Sequence, residues 1–373
     1  MRALVTGGAG FVGSHLVDAL RARGEEVWVL DNLSVGRASS ISQHFHQEGF
    51  HFTSDSILNE GCVDHLISQV DVVYHLAAAV GVRHIVSDPL SAILTNVRGT
   101  ENVLTSAARH WRRVVIASSS EIYGRSDGGA LAENRDRVLG ATTVTRWSYS
   151  ASKAIDEHLA WAYHDKGLPA SVVRYFNSYG PRLSEDGYGS VVASFIRQAL
   201  CGEPITVHSD GRQTRSFTYV TDTVAGTLLA GERPEAIGEV FNIGNPVETS
   251  IVDLAHLIKE LTGSSSAIIH VPYEDCYGQR HEDTPSRFPD ISKARARLGF
   301  RPQVALREGL ERTIAWCRAN YQLKRASTLA MGADALLARA LRTSAMEAKT
   351  SDEARDGSTA PGITPAGGHA PSR

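Results

Sequence analysis

The sequence predicts an α/β protein that is built on a doubly wound parallel sheet and carries a smaller C-terminal α/β lobe. Short apolar runs at 2–6, 26–30, 71–76, 113–117 and 170–175 alternate with stretches of helical pattern. Strands that alternate with helices form βαβ units, and these units build a parallel sheet covered on both faces. The length of 373 residues exceeds what one hydrophobic core usually serves, so we expect two packed lobes.

A change of composition midway along the chain marks the start of the smaller lobe. Pro181 and the glycine-rich stretch 180–189 precede short strands and helices with recurrent Gly and Pro. Further on, the Ala- and Leu-rich segment 328–349 predicts one helix, and from Thr350 the chain has almost nothing to bury, which predicts disorder. The predicted boundaries are 1–180, interleaved with later segments, then 181–325 and 326–373.

Composition and charge exclude several classes of function. Lys and Arg number 38 against 41 Asp and Glu, a net charge of −3 that gives no reason to expect nucleic acid or an anionic membrane as partner. No apolar run reaches the ~18–20 residues of a membrane span, and the first residues lack the pattern of an export signal. The four cysteines share no CxxC spacing, so we expect no metal site, no disulfide framework and a cytoplasmic protein.

The glycine-rich turn after the first strand is placed to hold a pyrophosphate. The segment TGGAGFVG follows that strand and opens an amphipathic helix over roughly 11–23. Gly7 permits the tight turn, Gly10 lets the backbone approach the phosphates and Gly13 allows close helix–strand packing. The helix N-terminus supplies free N–H groups and a partial positive charge. This arrangement predicts a dinucleotide site.

Asp31, at the end of the second strand, indicates which dinucleotide binds. It stands eighteen residues after Gly13, where an acid accepts hydrogen bonds from the adenosine ribose and repels a 2′-phosphate. Arg37 is a contrary sign, because an arginine accommodates that phosphate. The sequence favours NAD over NADP.

Tyr149 and Lys153 form the candidate catalytic pair. Their spacing of four places both side chains on one face of a helix. A tyrosine with a pKa of about 10 is a poor base, but a neighbouring ammonium and a cationic nicotinamide favour the phenolate. A surface helix would show the same spacing, so the pair needs support. Ser119 supports the assignment because it follows the apolar run 113–117, and open α/β sheets bind ligands at the ends of their strands.

Together these motifs resemble the extended short-chain dehydrogenase/reductase family of nucleotide-sugar epimerases, dehydratases and decarboxylases. The resemblance covers roughly 1–320 and implies a Rossmann domain that holds NAD, a smaller lobe that binds a UDP-sugar, and a homodimer formed through a four-helix bundle. Tyr149 would be the base, Lys153 its activator and Ser119 the anchor of the reacting hydroxyl. By similarity, the residues that would also line the cofactor are Phe11, Val12, Asn32, Asp55, Ser56, Leu76, Ala77, Ala78, Asn96 and Phe176.

Three segments resemble the UDP-glucuronate decarboxylases within that family. They are the SSSEIYG stretch that holds Glu121, the RWSY lead-in to Tyr149, and Tyr277-Gly278 followed by the SRFPD stretch that holds Arg287. The resemblance implies decarboxylation of UDP-glucuronate through a UDP-4-keto intermediate to UDP-xylose or a UDP-4-keto-pentose. Arg287, a permanent charge with a fork of donors, suits the carboxylate or enolate, and Glu121 would orient the ring or manage a proton.

Other interpretations stay open at this point. Glu121 is also consistent with an acid that orients a loop. Arg287 is also consistent with a residue in a surface salt bridge or, as in epimerases, with a phosphate ligand. The main alternative function is a UDP-hexose 4-epimerase. A dinucleotide-binding module without catalysis is the third, but it would not need the Tyr, Lys and Ser that this chain keeps.

The resemblance also assigns residues to the nucleotide-sugar. Asn177 and Arg182 follow the run at 170–175, where the family places groups that touch sugar and phosphate. The segments around Val191 and His208 resemble uridine-binding ones, although His208 replaces a usual aromatic residue. Arg215 would supply a cation for the diphosphate. The full predicted substrate set is Ser120, Asn177, Arg182, Val191, His208, Arg215 and Arg287.

Overall fold

Seven parallel strands form the large sheet of the protein. The computed structural model describes residues 1–81, 88–126, 128–184, 190–272 and 284–321. The strands of this sheet are β1 (Arg2–Thr6), β2 (Glu26–Leu30), β3 (Phe50–Thr53), β4 (Val72–His75), β5 (Arg113–Ser119), β6 (Ala170–Tyr175) and β11 (Val240–Ile243). Their order is β11-β6-β5-β4-β1-β2-β3, so the direction of winding reverses between β1 and β4. Ligands bind at such a reversal in doubly wound folds.

Helices cover both faces of this sheet and bury two separate cores. They are α1 (Phe11–Ala22), α2 (Glu60–Ser68), α3 (Pro89–His110), α4 (Arg146–His164) and α6 (Val220–Glu232). Side chains alternate along a strand, and in β1 the residues Ala3 and Val5 enter the core under α1 and α6, whereas Leu4 enters the core under α2 and α3. Burial on both faces explains why β1, β2 and β4 read as unbroken apolar runs.

The predicted fold class is confirmed, with differences in detail. The runs at 2–6, 26–30 and 170–175 are strands at those bounds, and the helix after the glycine turn ends at Ala22. Sequence reasoning missed β3 and β11. Both are four residues long and carry polar positions within them, so neither gives an uninterrupted apolar signal.

Shorter elements lie in the second half of the chain. Many of them build a third core, whereas Ala294 and Leu298 join the core under α1 and α6. They are β7 (Ser178–Tyr179), α5 (Val191–Cys201), β8 (Ile205–His208), β9 (Thr214–Ser216), β10 (Thr218–Tyr219), β12 (Glu248–Ser250), α7 (Ile251–Thr262), β13 (Ile268–Val271), β14 (Ser286–Arg287), α8 (Ser292–Leu298) and α9 (Leu306–Asn320). Helices α5, α7 and α9 pack their apolar faces together. Strands β12, β9 and β14 form a small sheet that contributes to the site described below.

Some predictions fall outside the described residues, namely the helix over 328–349, the tail from Thr350 and the Tyr277-Gly278 pair. The predicted domain boundaries stay predictions. Among the described residues, no helix combines the length and the apolar character that crossing a membrane requires.

Candidate active site

The glycines of the turn between β1 and α1 let neighbouring backbone segments approach closely. Gly7 has a φ of 70°, and a Cβ there would lie 2.8 Å from the backbone nitrogen of Ala77, the second residue after β4. A Cβ on Gly13 would lie 2.9 Å from the Cα of Gly8. Gly10 begins α1 without a side-chain cap, and the first turn holds no acidic residue. The N–H groups and the positive end of the helix dipole therefore favour an anion such as a pyrophosphate.

The Asp31 carboxylate lies beside this turn, at the end of β2. It accepts hydrogen bonds from the N–H groups of Ala9, at 2.9 Å, and Leu33, at 2.8 Å. Burial raises the pKa of Asp31, and these backbone donors oppose that rise. Arg37 is joined to the same turn, since its N–H donates to the Ala9 carbonyl at 3.0 Å. The acid and the arginine predicted to discriminate NAD from NADP thus both border the glycine turn.

Other predicted cofactor residues follow strand ends. Asn32 follows β2, Leu76, Ala77 and Ala78 follow β4, and Asp55 and Ser56 follow β3. The Asp55 carboxylate accepts from the Ser56 N–H at 2.6 Å, and this bond is the main reason why its pKa is lowered.

Two predicted cofactor residues have side chains engaged within the protein. The Asn96 amide accepts from the Ala79 N–H at 2.7 Å and donates to the Ser152 hydroxyl at 3.1 Å. It therefore ties the loop after β4 to α4. The Phe176 side chain is fully buried in a small apolar cluster with Tyr123 and Ala154. It packs in the interior, because an apolar ring that follows a strand is stabilised by burial.

The candidate catalytic pair, Tyr149 and Lys153, lies near the start of α4, as the spacing predicts. Lys153 is buried, and its ammonium lies 3.1 Å from the Asp156 carboxylate, which is fully buried. Burial opposes the charge on Lys153, yet Asp156 and Tyr149 hold its pKa above the ordinary value. Sequence reasoning missed Asp156. The available signal was an acid three residues after the lysine, on the same helix face.

Tyr149 differs from the sequence-based expectation in one respect. Burial raises its pKa, Lys153 is the largest influence that lowers it, and the Ser119 hydroxyl lowers it further through a hydrogen bond. The ammonium therefore works in the predicted direction but does not by itself outweigh burial. Glu121 and Asp156 both add to the rise, because negative charges disfavour the phenolate.

Glu121 joins the catalytic pair to a cluster of arginines. It follows β5 in a short 3₁₀ turn (Ser120–Tyr123), and its carboxylate lies 3.0 Å from the Arg287 guanidinium. Burial opposes its ionisation, but Arg287, Arg146 and Arg215 together lower its pKa below the ordinary value. The two residues predicted to act together, Glu121 and Arg287, are thus in contact although 166 positions apart.

The small sheet holds two of these arginines side by side. Arg287 in β14 pairs in register with Arg215 in β9, and residues paired across parallel strands face the same side. Arg287 is 8% exposed and Arg215 is 7% exposed. Arg215 donates to the carbonyls of Thr214, at 2.7 Å, and Thr284, at 2.8 Å. The Asn177 amide oxygen lies 3.5 Å from Arg287.

The remaining predicted substrate residues lie in different surroundings. Arg182 has a φ of 68°, and its guanidinium lies 2.7 Å from the carboxylate of Asp18 on α1. Ser120 is buried, Val191 is the first residue of α5, and His208 is the last residue of β8. In the described part of the chain, no group of three or more His, Cys, Asp or Glu side chains lies where it could hold a metal ion.

Comparison with known proteins identifies the family. Residues 3–244 match the model of the NAD dependent epimerase/dehydratase family. The chain belongs to this family. The predicted resemblance is thereby confirmed, and NAD is the cofactor.

Individual relatives and solved structures within the family are similar to this chain. The chain is 42% identical over 320 residues to a UDP-N-acetyl-alpha-D-glucosaminuronate decarboxylase of Bacillus cytotoxicus. The matched region covers 85% of this chain and 98% of that protein. It is 39% identical over 311 residues to UDP-glucuronic acid decarboxylase 4 of Arabidopsis thaliana, with coverage of 83% and 67%. One similar solved structure is a UDP-glucuronic acid 4-epimerase from Bacillus cereus in complex with UDP-glucuronic acid and NAD. It has a TM-score of 0.76 and 31% sequence identity, and the match covers 86% of this chain and 100% of the epimerase chain.

Proposed function

We propose that this protein is an NAD-dependent decarboxylase of UDP-glucuronate or of a closely similar UDP-sugar acid. The observation that carries this proposal is the arginine cluster around Glu121, next to Tyr149. Relatives at 42% and 39% identity are named as decarboxylases of two such sugar acids. The product is UDP-xylose, a UDP-4-keto-pentose or the corresponding N-acetylated pentose.

The arginines near Glu121 suit an acidic nucleotide-sugar. The guanidiniums of Arg146, Arg215 and Arg287 all lower the pKa of Glu121. A sugar carboxylate and a diphosphate are both anions, and an arginine binds either one with its fork of donors. A neutral hexose lacks the carboxylate.

The residues around the glycine turn fit NAD. Gly7, Gly10 and the start of α1 would hold the pyrophosphate, and Asp31 would accept from the adenosine ribose. When bound, NAD supplies the acceptor, and later the donor, of the hydride at C4 of the sugar. Lys153 and Tyr149 would meet the nicotinamide end.

The protein's own groups would then handle protons and charge. Tyr149 as phenolate takes the proton of the C4 hydroxyl, which Ser119 orients. The resulting 4-keto acid loses CO2 because the electrons of the C5–C6 bond pass to the ketone oxygen as an enolate. Arg287 would hold the carboxylate and then the enolate, with Glu121 fixing the position of Arg287. A proton then adds to C5 in place of the lost carboxyl group, and the ketone is reduced where the product is a UDP-pentose rather than the 4-keto sugar.

A second candidate is a 4-epimerase. The solved neighbour from Bacillus cereus is named a 4-epimerase of UDP-glucuronic acid. The arginine cluster suits that acidic substrate equally well. The two candidates differ in whether the 4-keto acid loses CO2 before it is reduced.

A product assay separates these functions. Purified protein would be incubated with UDP-glucuronate, UDP-N-acetylglucosaminuronate, UDP-glucose and UDP-galactose, with CO2 and nucleotide-sugars measured. We expect CO2 and a UDP-pentose from one or both acids. Formation of UDP-galacturonate without CO2 would identify a 4-epimerase of the acid. Interconversion of the two neutral hexoses alone would refute the decarboxylase.

We also propose that the protein is a homodimer that associates through α3 and α4. These helices pack together and expose Leu90 (66%), Ile93 (37%) and Ile155 (43%). A paired copy would bury these side chains and complete a four-helix bundle. Sedimentation should give a dimer, and Ile155→Arg should give monomers. Ile237→Arg, at a 37% exposed isoleucine outside both helices, is the control and should stay dimeric.

A cytoplasmic location is the remaining part of the proposal. Cys62, Cys201 and Cys317 are free thiols, which suits a reducing compartment. The fourth cysteine, Cys276, lies outside the described residues. Cell fractionation with an antibody against the protein would test the location.

A further inference from the structure

A buried polar network lies behind the site and includes groups that the proposed chemistry does not use. Glu157, one turn after Lys153 on α4, forms a two-bond ion pair with Arg174 on β6, with N–O distances of 2.9 and 2.7 Å. The same carboxylate accepts from Ser118 at 2.6 Å. Ser118 immediately precedes Ser119 near the end of β5. Glu157 therefore joins α4 both to β5, through Ser118, and to β6, through Arg174.

Arg174 extends the network towards the turn that holds Glu121. Its guanidinium donates to the Tyr123 hydroxyl at 2.9 Å and to the Glu133 carbonyl at 3.0 Å. Tyr123 ends the 3₁₀ turn two residues after Glu121. Burial raises the pKa of Tyr123 to about 12, so the phenol is neutral and keeps a proton to donate.

Asn242 on β11 carries the network to the segment that holds Arg287. It accepts from the Tyr123 hydroxyl at 2.7 Å and donates to the carbonyls of Leu131, at 2.7 Å, and Asp290, at 3.0 Å. Leu131 also exchanges backbone hydrogen bonds with this segment, donating to Phe288 at 2.9 Å and accepting from Asp290 at 3.0 Å. Asp290, which the network anchors directly, therefore lies three positions after Arg287.

We propose that Tyr123 is a positioning residue, whose hydroxyl holds the Glu121 turn and the Arg287 segment at the correct distance from each other and from α4. One phenol oxygen connects Arg174, which is bound to the catalytic helix, with Asn242, which is bound to the Arg287 segment. The inference rests on the proposed roles of Glu121 and Arg287. Buried networks of this kind specify one arrangement of the groups they join.

Tyr123→Phe is the appropriate test. Removing one partner of the Glu157–Arg174 ion pair would strand a buried charge and destabilise the whole fold. Phenylalanine keeps the ring that packs with Ile122 and Phe176, and it removes only the hydroxyl. Tyr175→Phe is a matched control, because Tyr175 adjoins Arg174 on β6 and its hydroxyl makes a 2.7 Å bond to Thr227, away from the network.

The first measurement is steady-state turnover combined with calorimetric binding. With the holoenzyme, we expect kcat of Tyr123→Phe to fall about 10- to 100-fold, the range that small misplacement of reacting groups produces. UDP affinity should stay within about threefold, while the preference for binding UDP-glucuronate over UDP-glucose falls about tenfold, since only the acid depends on a correctly placed Arg287. Tyr175→Phe should leave all three quantities at wild-type values.

The second measurement is hydrogen exchange, which needs no turnover. The amides of Leu131 and Asp290 should exchange faster in Tyr123→Phe and at wild-type rates in Tyr175→Phe. Unchanged exchange and unchanged sugar preference would overturn the inference, as would equal effects of both variants. If wild-type protein shows no preference for the acid and no CO2, the proposed function fails, and the exchange result still decides whether Tyr123 holds the two segments.

Discussion

The two ends of the site are built in different ways. The proposed cofactor end consists mainly of backbone groups at the glycine turn, and Asp31 itself binds to that turn through the Ala9 N–H. The proposed sugar end consists of charged side chains, and its central contact joins Glu121 to Arg287. One end therefore depends on a local motif and the other on segments that are far apart in sequence.

This difference explains why the family was easier to identify than the reaction. A glycine turn of this kind binds a pyrophosphate, so it contains no information on the sugar. In the proposed function, the charges around Glu121 decide which sugar is held and what happens to it. In the proposed function, Tyr149 and Lys153 act at the boundary between the two ends, and variants there and at each end test whether the ends act independently.

The largest effect is expected at the boundary, from Tyr149→Phe. Loss of the proton acceptor should lower turnover of the UDP-sugar acid about 10²- to 10⁴-fold, the usual contribution of a general base. The NAD content of the purified protein, measured after denaturation, should stay at the wild-type level because the glycine turn is unchanged. An active variant would refute the role of Tyr149.

Arg287→Ala should have the next largest effect, confined to the sugar end. We expect CO2 release to fall about 10²- to 10³-fold, as when one charged stabiliser of a developing anion is removed. UDP affinity by calorimetry should change little. Arg307→Ala, which removes an exposed arginine paired with Glu260, is the control. An equal loss of UDP affinity and CO2 release would make Arg287 a phosphate ligand.

The ionisation of Tyr149 should move in opposite directions in two variants on α4. Lys153→Met removes a charge that lowers the pKa of Tyr149, so that pKa rises and activity begins only at higher pH. Asp156→Asn removes a charge that raises the same pKa, so activity persists to lower pH. The pH profile of kcat measures both shifts. Shifts of the same sign would contradict the proposed electrostatics.

The smallest effect is expected at the cofactor end, from Asp31→Asn. Removing the charge weakens the bond to the ribose and the repulsion of a 2′-phosphate, so we expect NAD to bind about tenfold more weakly and NADP more tightly. Calorimetry with cofactor-free protein measures both affinities. Asp71→Asn, at an exposed acid paired with Arg2, is the control. An unchanged NAD/NADP ratio would shift the discrimination to Arg37.

Sequence reasoning was most accurate where the signal is local. The glycine turn, Asp31 after β2, and Tyr149 with Lys153 on one helix all lie where the spacing predicts. It was least informative where tertiary contacts decide. The assignments of Arg182 to the sugar and of Phe176 to the cofactor stay predictions, and no local pattern showed that Arg182 pairs with Asp18 or that Phe176 packs with Tyr123 and Ala154. Strand β11 was missed because its polar Asn242 is needed by a network that no local pattern shows.

The sequence by itself determined the doubly wound fold, the dinucleotide turn and the catalytic pair, because each depends on residues within a few positions of one another. Only the tertiary structure decided which arginines surround Glu121, that burial outweighs Lys153 at Tyr149, and that Asp156 pairs with Lys153 while Tyr123 bonds to Arg174 and Asn242. The physical reason is that charge interactions depend on distance in space and on burial. Neither quantity can be read from spacing along the chain once the partners lie on different segments.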